Sequence, residues 1–193
     1  MKDIWELAKA NEAYIIDRRR YYHAHPEPSM QEVETTKAIA KDLEALGIEY
    51  KTFPDHTGVL GVIRGGKPGK GIMLRADIDG LSGVHEATGL PFASQNPDCM
   101  HACGHDTHIS VLLGAAKILN EIKDELYGTI NLCFEPAEET LQGASLMIQD
   151  GCLDGMDACF GMHTWSAGTS GKASFMKGNI MAAGGKFTVR VKG

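Results

Sequence analysis

The sequence predicts an α/β fold of three layers, with helices on both faces of a central sheet. Two observations carry this: short apolar runs of strand character alternate with stretches of helical period, and the 193 residues, 43% hydrophobic and 23% charged, can form a sizeable core without disulfide staples. Residues 3–25 carry Ile4, Leu7, Ala8, Ala13, Ile15 and Ile16 among charged positions, which predicts one helix ending before Pro26. Ser29 followed three residues later by Glu32 reads as a capping box for a second helix, whose face of Val33, Ala38, Ile39, Leu43 and Leu46 closes at Gly47. Strands are predicted over 48–53, 59–64 and 72–76, with the glycine cluster 65–69 as a hairpin turn between the last two. Because that cluster feeds a strand and not a helix, it lacks the context of a phosphate cradle. Ile109, Val111, Leu112, Ala115, Ala116 and Leu119 predict a largely buried helix from Thr107 with Asp106 as its cap. A strand over 128–134, a helix over 138–149 closed by Gly151 and a strand over 158–162 continue the alternation, and two more strands are expected over 172–176 and 186–192.

Composition excludes several classes of function. Nineteen basic residues against 25 acidic ones give a net charge of -6, and Arg18-Arg19-Arg20 is too short a run to offset it, so no nucleic-acid partner is expected. No stretch has the apolar length of a membrane span and the N-terminus lacks a signal-peptide core, which gives the expectation of a cytoplasmic protein without a membrane partner. The five cysteines, at 99, 103, 133, 152 and 159, are an odd number and read as thiols, one of them a possible metal ligand.

The densest chemistry lies in 100–108, MHACGHDTH. Cys103 and His105 would diverge on a helix but converge from a loop, which Gly104 and a cap at Asp106 imply. The bland alternative is a helix N-terminus whose polar side chains satisfy orphan N–H groups. For the cluster as a whole, thiolate and imidazole on one loop favour metal binding. Glu138 and Glu139 stand where a buried strand runs into a helix. Adjacent glutamates are common there because of the helix dipole, yet functional crevices of open α/β sheets also lie at strand exits. His163 follows the strand 158–162 in the same way, and Asp77 and Asp79 follow the strand 72–76. Together these groups offer mixed N, O and S ligands and a spare carboxylate, the requirements of a hydrolytic metal site.

The ordered strings RRRYYHAHPEPSMQEVETT, LRADIDGL, TGLPFAS, MHACGHDTH, PAEE and GMHTW resemble the dinuclear metal amidohydrolases, the group of bacterial aminoacylases, hippurate hydrolase, N-acetyldiaminopimelate deacetylase and plant indoleacetyl-amino-acid hydrolases within the metallocarboxypeptidase-like peptidases. The resemblance runs from about Arg18 to the last residue. It implies a zinc-peptidase-like α/β/α catalytic domain with an inserted α+β lid. Family members are roughly twice as long, so residues 1–183 would be the N-terminal part of the catalytic domain and 184–193 the first strand of a missing lid and dimerisation domain. By the same resemblance Cys103, His105, Glu139 and His163 are metal ligands, Glu138 is the general base and Asp77 is an aspartate behind the ligands. His23, His25, His101 and His108 are given packing or supporting hydrogen bonds instead. The chain departs from the family's pattern at Gly80, Ser82, Glu135 and 140–142, which bears on substrate preference and loop shape more than on the metal site.

The activity implied is hydrolysis of the amide in an N-acyl amino acid, dipeptide or similar small substrate. Two divalent cations (Zn, Mn, Co or Ni) would hold a water and lower its pKa toward about 7, with Glu138 taking its proton. The full-length protein would be a homodimer joined through its lid. A lid histidine and a last histidine ligand fall outside these residues, so the 193 residues alone are expected to turn over poorly. Two other readings compete: a non-catalytic metal-binding fragment of such an enzyme, and a thiol-redox protein using Cys99 and Cys103, whose C-x3-C spacing differs from the usual C-x-x-C.

Overall fold

A computed structural model describes residues 3–181, 184 and 187–192. Its elements are α1 (Ile4–Ala10), α2 (Glu12–Ala24), α3 (Val33–Ala45), β1 (Glu49–Thr52), β2 (Val59–Arg64), β3 (Lys67–Asp77), β4 (Leu81–Ser82), β5 (Cys99–Met100), α4 (His105–Glu121), a 3-10 turn (Lys123–Glu125), β6 (Tyr127–Glu135), α5 (Gly143–Gln149) and β7 (Ala158–Gly161). A five-stranded sheet runs in the order β1-β2-β6-β3-β7, while β4 and β5 form a separate pair. β2 pairs antiparallel with both β1 and β6, whereas β3 pairs in parallel with both β6 and β7, with Ala76 opposite Phe134 and Asp77 opposite Glu135. The last three therefore end at one edge of the sheet.

Alternation along β2 and β6 sends one set of side chains to each face. Val59, Ile63, Leu132 and Phe134 join Tyr22, Ile39, Leu43, Ile109 and Leu113 in the main core. On the other face Leu60, Met73 and Cys133 meet Met147 of α5 and Cys152 just beyond it. Helices thus lie on both faces of a mixed sheet, as the alternating pattern predicts.

Several local expectations are corrected. The N-terminal helix is two helices, because the Asn11 side-chain amide donates to the Leu7 carbonyl at 2.9 Å and its oxygen accepts from Lys117 at 2.7 Å, which interrupts the helix. Ser29 and Glu32 form no capping box: the N–H groups of Glu34 and Thr35 donate to the Glu27 carboxylate, at 3.2 and 2.7 Å, and Glu32 is turned into the interior. Residues 65–69 make no hairpin, since β6 lies between β2 and β3. Gly65 and Gly66 instead donate to the carbonyls of Gly128 and Lys123, both at 2.8 Å. The cap of α4 is Gly104 at φ 87°, with Asp106 inside the first turn.

Helix α5 begins at Gly143, because residues before it form a turn with Ala137 at φ 50° and Leu141 at φ 58°. Residues 172–176 and 187–192 are exposed and form no strand, having no ladder partner among the described residues, and Lys186 lies outside those residues. The pair β4 and β5, each two residues long, is too short for alternation to announce.

Gly128 starts the approach of β6 to β3 at φ +74°, and a Cβ there would lie 1.9 Å from the Lys70 carbonyl oxygen. Gly128→Ala is expected to destabilise the protein by about 2 kcal/mol or more. Urea unfolding would show this as a lowered midpoint with an unchanged slope.

Candidate metal centre

Four chain segments meet at the common edge of β3, β6 and β7. The segment leaving β3 carries Asp77 and Asp79, both buried, and the one leaving β6 carries Glu138 and Glu139, both half-buried. The turn before α4 supplies Cys103 and sets His105 as the first helical residue. Gly104 is required here twice over: its φ is positive, and a Cβ would lie 2.3 Å from the Thr164 hydroxyl oxygen. His163 and Thr164 follow β7.

These positions bring the sequence-predicted residues together. Cys103 Sγ lies 3.3 Å from His163 Nε2. His105 Nε2 lies 3.7 Å from Asp77 Oδ2, Glu138 Oε2 and Glu139 Oε1 alike. Within each of the two trios, Cys103 with His105 and His163, and His105 with Glu138 and Glu139, the potential ligand atoms lie within 4.8 Å of one another.

The imidazoles are oriented by their other nitrogens. His105 Nδ1–H donates to the Asp79 carbonyl at 2.8 Å and to its carboxylate at 3.1 Å, and His163 Nδ1–H donates to the Thr164 carbonyl at 2.5 Å. Both Nε2 atoms are thereby aimed into the cluster. A third trio, Asp77 with His105 and His108, also has the required closeness. Yet His108 Nε2 accepts the Thr164 N–H at 2.9 Å and its Nδ1–H donates to Asp77 Oδ1 at 2.5 Å, so its nitrogens are already engaged.

The electrostatics of the cluster favour a cation. Burial pushes the Cys103 thiol up, and the charges of Glu139, Glu138 and Asp77 raise it further, to about 12. Burial opposes charge on His105, but the Asp79 hydrogen bond and the charges of Asp77, Asp79 and Glu139 outweigh it and raise the imidazole to about 9. Glu138 is raised by burial and by Asp77. His105 Nε2 and Glu139 Oε1 are buried without hydrogen-bond partners. Unpartnered donor atoms of N and O type beside a thiol, in surplus negative charge, fit divalent cations.

Supporting residues are visible only in three dimensions. Asp79 holds His105 and also accepts the Ser29 hydroxyl at 2.6 Å and the Glu139 N–H at 3.0 Å. Arg75 reaches Asp77 at 2.6 Å and Glu135 at 2.7 Å. Of the other motif histidines, His23 bonds Asp106 at 2.8 Å and Glu86 at 3.2 Å, and exposed His25 bonds the Tyr21 carbonyl at 2.7 Å. His101 is buried without a hydrogen-bond partner. Burial lowers its imidazole to about 4. Cys99 Sγ lies 2.7 Å from where a Gly80 Cβ would sit, while Cys103 faces His163, so the two thiols have different neighbours.

Residues 73–189 match Peptidase family M20/M25/M40. The chain belongs to this family. An N-acetyl-L-cysteine deacetylase of Bacillus subtilis is 46% identical over 182 residues, covering 94% of this chain and 44% of that protein. An N-acyl-L-amino acid amidohydrolase of Geobacillus stearothermophilus is 39% identical over 193 residues, covering 100% of this chain and 52% of that protein. A solved Bacillus subtilis structure described as a dinuclear metal binding peptidase from the M20 family has a TM-score of 0.78 at 47% identity, covering 81% of this chain and 44% of that one. The chain spans about half the length of the curated relatives it matches.

Fully buried Asp77 joins Arg75 to His108. Burial raises its carboxyl, but the His108 hydrogen bond and the His105 and Arg75 charges outweigh this and leave it below the usual carboxylate range. Asp77→Ala is expected to cost the metal-free protein about 3 kcal/mol, because it leaves Arg75 and His108 short of a partner. A depressed carboxylate stabilises the fold above its unfolded pKa, so the gap between wild type and variant, read by chemical unfolding, is expected to narrow as pH falls below about 4.

Proposed function

We propose that the whole protein is a metal-dependent amidohydrolase that cleaves the amide bond of N-acyl amino acids or related small amides and dipeptides. The observation that carries this is the pair of buried atoms His105 Nε2 and Glu139 Oε1, neither with a hydrogen-bond partner, 3.7 Å apart beside a thiol and further carboxylates. The names of the deacetylase and amidohydrolase relatives support the substrate class.

In this reading Cys103, His105, Glu139 and His163 hold two divalent cations of the Zn, Mn, Co or Ni type, with Asp77 behind them. When bound, the metal supplies Lewis acidity for carbonyl and water. Glu138 is the general base. Its side chain is 32% exposed against 21% for Glu139, and burial with the Asp77 charge raises its affinity for a proton. It takes a proton from water as the water oxygen bonds to the carbonyl carbon, then delivers that proton to the amide nitrogen as the C–N bond breaks. Asp79 keeps the Nδ1 proton of His105 in place throughout. The same reading assigns 1–183 to the catalytic domain and 184–193 to the start of a lid through which a cytoplasmic homodimer forms.

In the full-length enzyme Glu138→Gln is expected to retain its metal while turnover of N-acetyl amino acids falls roughly 10²- to 10⁴-fold. Glu139→Gln is expected to lose metal. Metal analysis beside turnover decides between them, and the reverse pattern would swap the two roles.

Cation binding must also expel protons from Cys103 and His105, whose metal-free pKa values are raised to about 12 and about 9. At pH 7 zinc uptake is expected to release about two protons, and apparent affinity is expected to rise with pH. Calorimetry in buffers of different ionisation enthalpy measures the release. Uptake without proton release would contradict the ligand assignment.

A further inference from the structure

Glu32 and the turn that carries Glu138 and Glu139 are 105 residues apart in sequence, yet they meet in the interior. Glu32 sits at the N-terminus of α3 with no exposed surface. Its Oε1 accepts the Ala137 N–H at 2.7 Å and its Oε2 accepts the Thr57 hydroxyl at 2.5 Å. Neither capping nor the proposed chemistry accounts for a carboxylate buried there.

The held peptide is an unusual one. Ala137 has φ 50°, a left-handed backbone that is strained for a residue with a Cβ. Its carbonyl accepts the N–H groups of Gln142 and Gly143, at 3.2 and 3.3 Å, and so ties the turn to α5. Room is tight on both sides: a Cβ on Gly143 would lie 1.5 Å from the Pro136 carbonyl oxygen, and one on Gly58 would lie 2.8 Å from Pro136 Cδ. Two residues on, the Glu139 N–H is held by Asp79. Buried carboxylates thus grip the backbone on either side of Glu138.

We propose that Glu32 is a positioning residue for the proposed base and ligand: by holding the Ala137 N–H it fixes the left-handed turn that aims Glu138 and Glu139 at His105. Without it the Ala137 N–H is buried and unpaired, and the turn relaxes toward a commoner φ. Both glutamates then swing, because they follow directly. A neutral acceptor of the same length serves equally well, so Gln substitutes for Glu whereas a shortened carboxylate does not. This inference rests on the hydrolase reading above.

The test uses the full-length, metal-loaded enzyme and the variants Glu32→Ala, Glu32→Asp and Glu32→Gln. Tyr22→Phe, which loses a part-buried 2.8 Å hydrogen bond to Asp42 that involves no residue of the turn, controls for loss of stability. Measured quantities are kcat, KM, melting temperature and the zinc dissociation constant by chelator competition. Glu32→Ala and Glu32→Asp are expected to lose roughly 10- to 100-fold in kcat, with KM within about threefold, and to bind zinc roughly tenfold more weakly. Glu32→Gln is expected to stay within about threefold of wild type in kcat and zinc affinity, as is Tyr22→Phe. Should Glu32→Ala fail to fold, Glu32→Asp against Glu32→Gln decides the matter. Wild-type kcat and zinc affinity in Glu32→Asp, or equal impairment of Glu32→Gln and Glu32→Asp, would overturn the positioning role while leaving the hydrolase reading intact. A wild-type enzyme with no metal-dependent turnover would overturn both.

Discussion

Parallel pairing of β3 with β6 sets Asp77 across from Glu135, so the chain leaves both strands at the same edge of the sheet with carboxylates already in place. β7 adds in parallel on the far side of β3 and brings His163 to that edge. The N-terminus of α4 arrives there with Cys103 and His105 because α4 packs its apolar face of Ile109, Leu112, Leu113 and Ala116 against the same sheet. Core packing and site assembly are therefore one event. Ile109 and Leu113 are fully buried four residues apart on α4, and rotating that face out of the core would carry His105 away from Asp79.

The cluster so formed concentrates more negative charge than its own cations balance. Arg75 answers Asp77 and Glu135, and His105 lies among Asp77, Asp79, Glu138 and Glu139. Protons offset part of this charge, with Cys103 held as a thiol and His105 as an imidazolium. On the proposed reading a divalent ion would replace those protons with a charge that the surrounding carboxylates favour. The supporting residues have a different task. Asp79, Ser29, His108 and Thr164 fix ring orientation and backbone position through hydrogen bonds that leave the Nε2 atoms of His105 and His163 facing inward.

Much of this was legible in the chain because it is local. Cys103 and His105 share one turn, Glu138 and Glu139 are adjacent, and strand exits mark where a sheet of this class places its site. Strand order was not legible, because β6 enters between β2 and β3 from 50 residues downstream and periodicity says nothing about neighbours. Ser29 and Glu32 matched a capping box in spacing, yet Glu27 reaches the helix N–H groups and frees both for the interior. The left-handed turn at Ala137 escaped detection because no glycine announces it, the conformation being imposed by contacts with distant residues. Each miss is an instance of tertiary contacts overriding a local pattern.

The central claim is that cations sit between a thiolate and an imidazole from one turn and oxygen and nitrogen donors from two other segments. X-ray absorption at the zinc edge of the loaded full-length protein tests this most directly. The account predicts a sulfur scatterer at about 2.3 Å together with nitrogen or oxygen scatterers near 2.0 to 2.2 Å, the sulfur signal vanishing in Cys103→Ser. A first shell of nitrogen and oxygen alone in the wild type, or a sulfur signal that persists in Cys103→Ser, would contradict it.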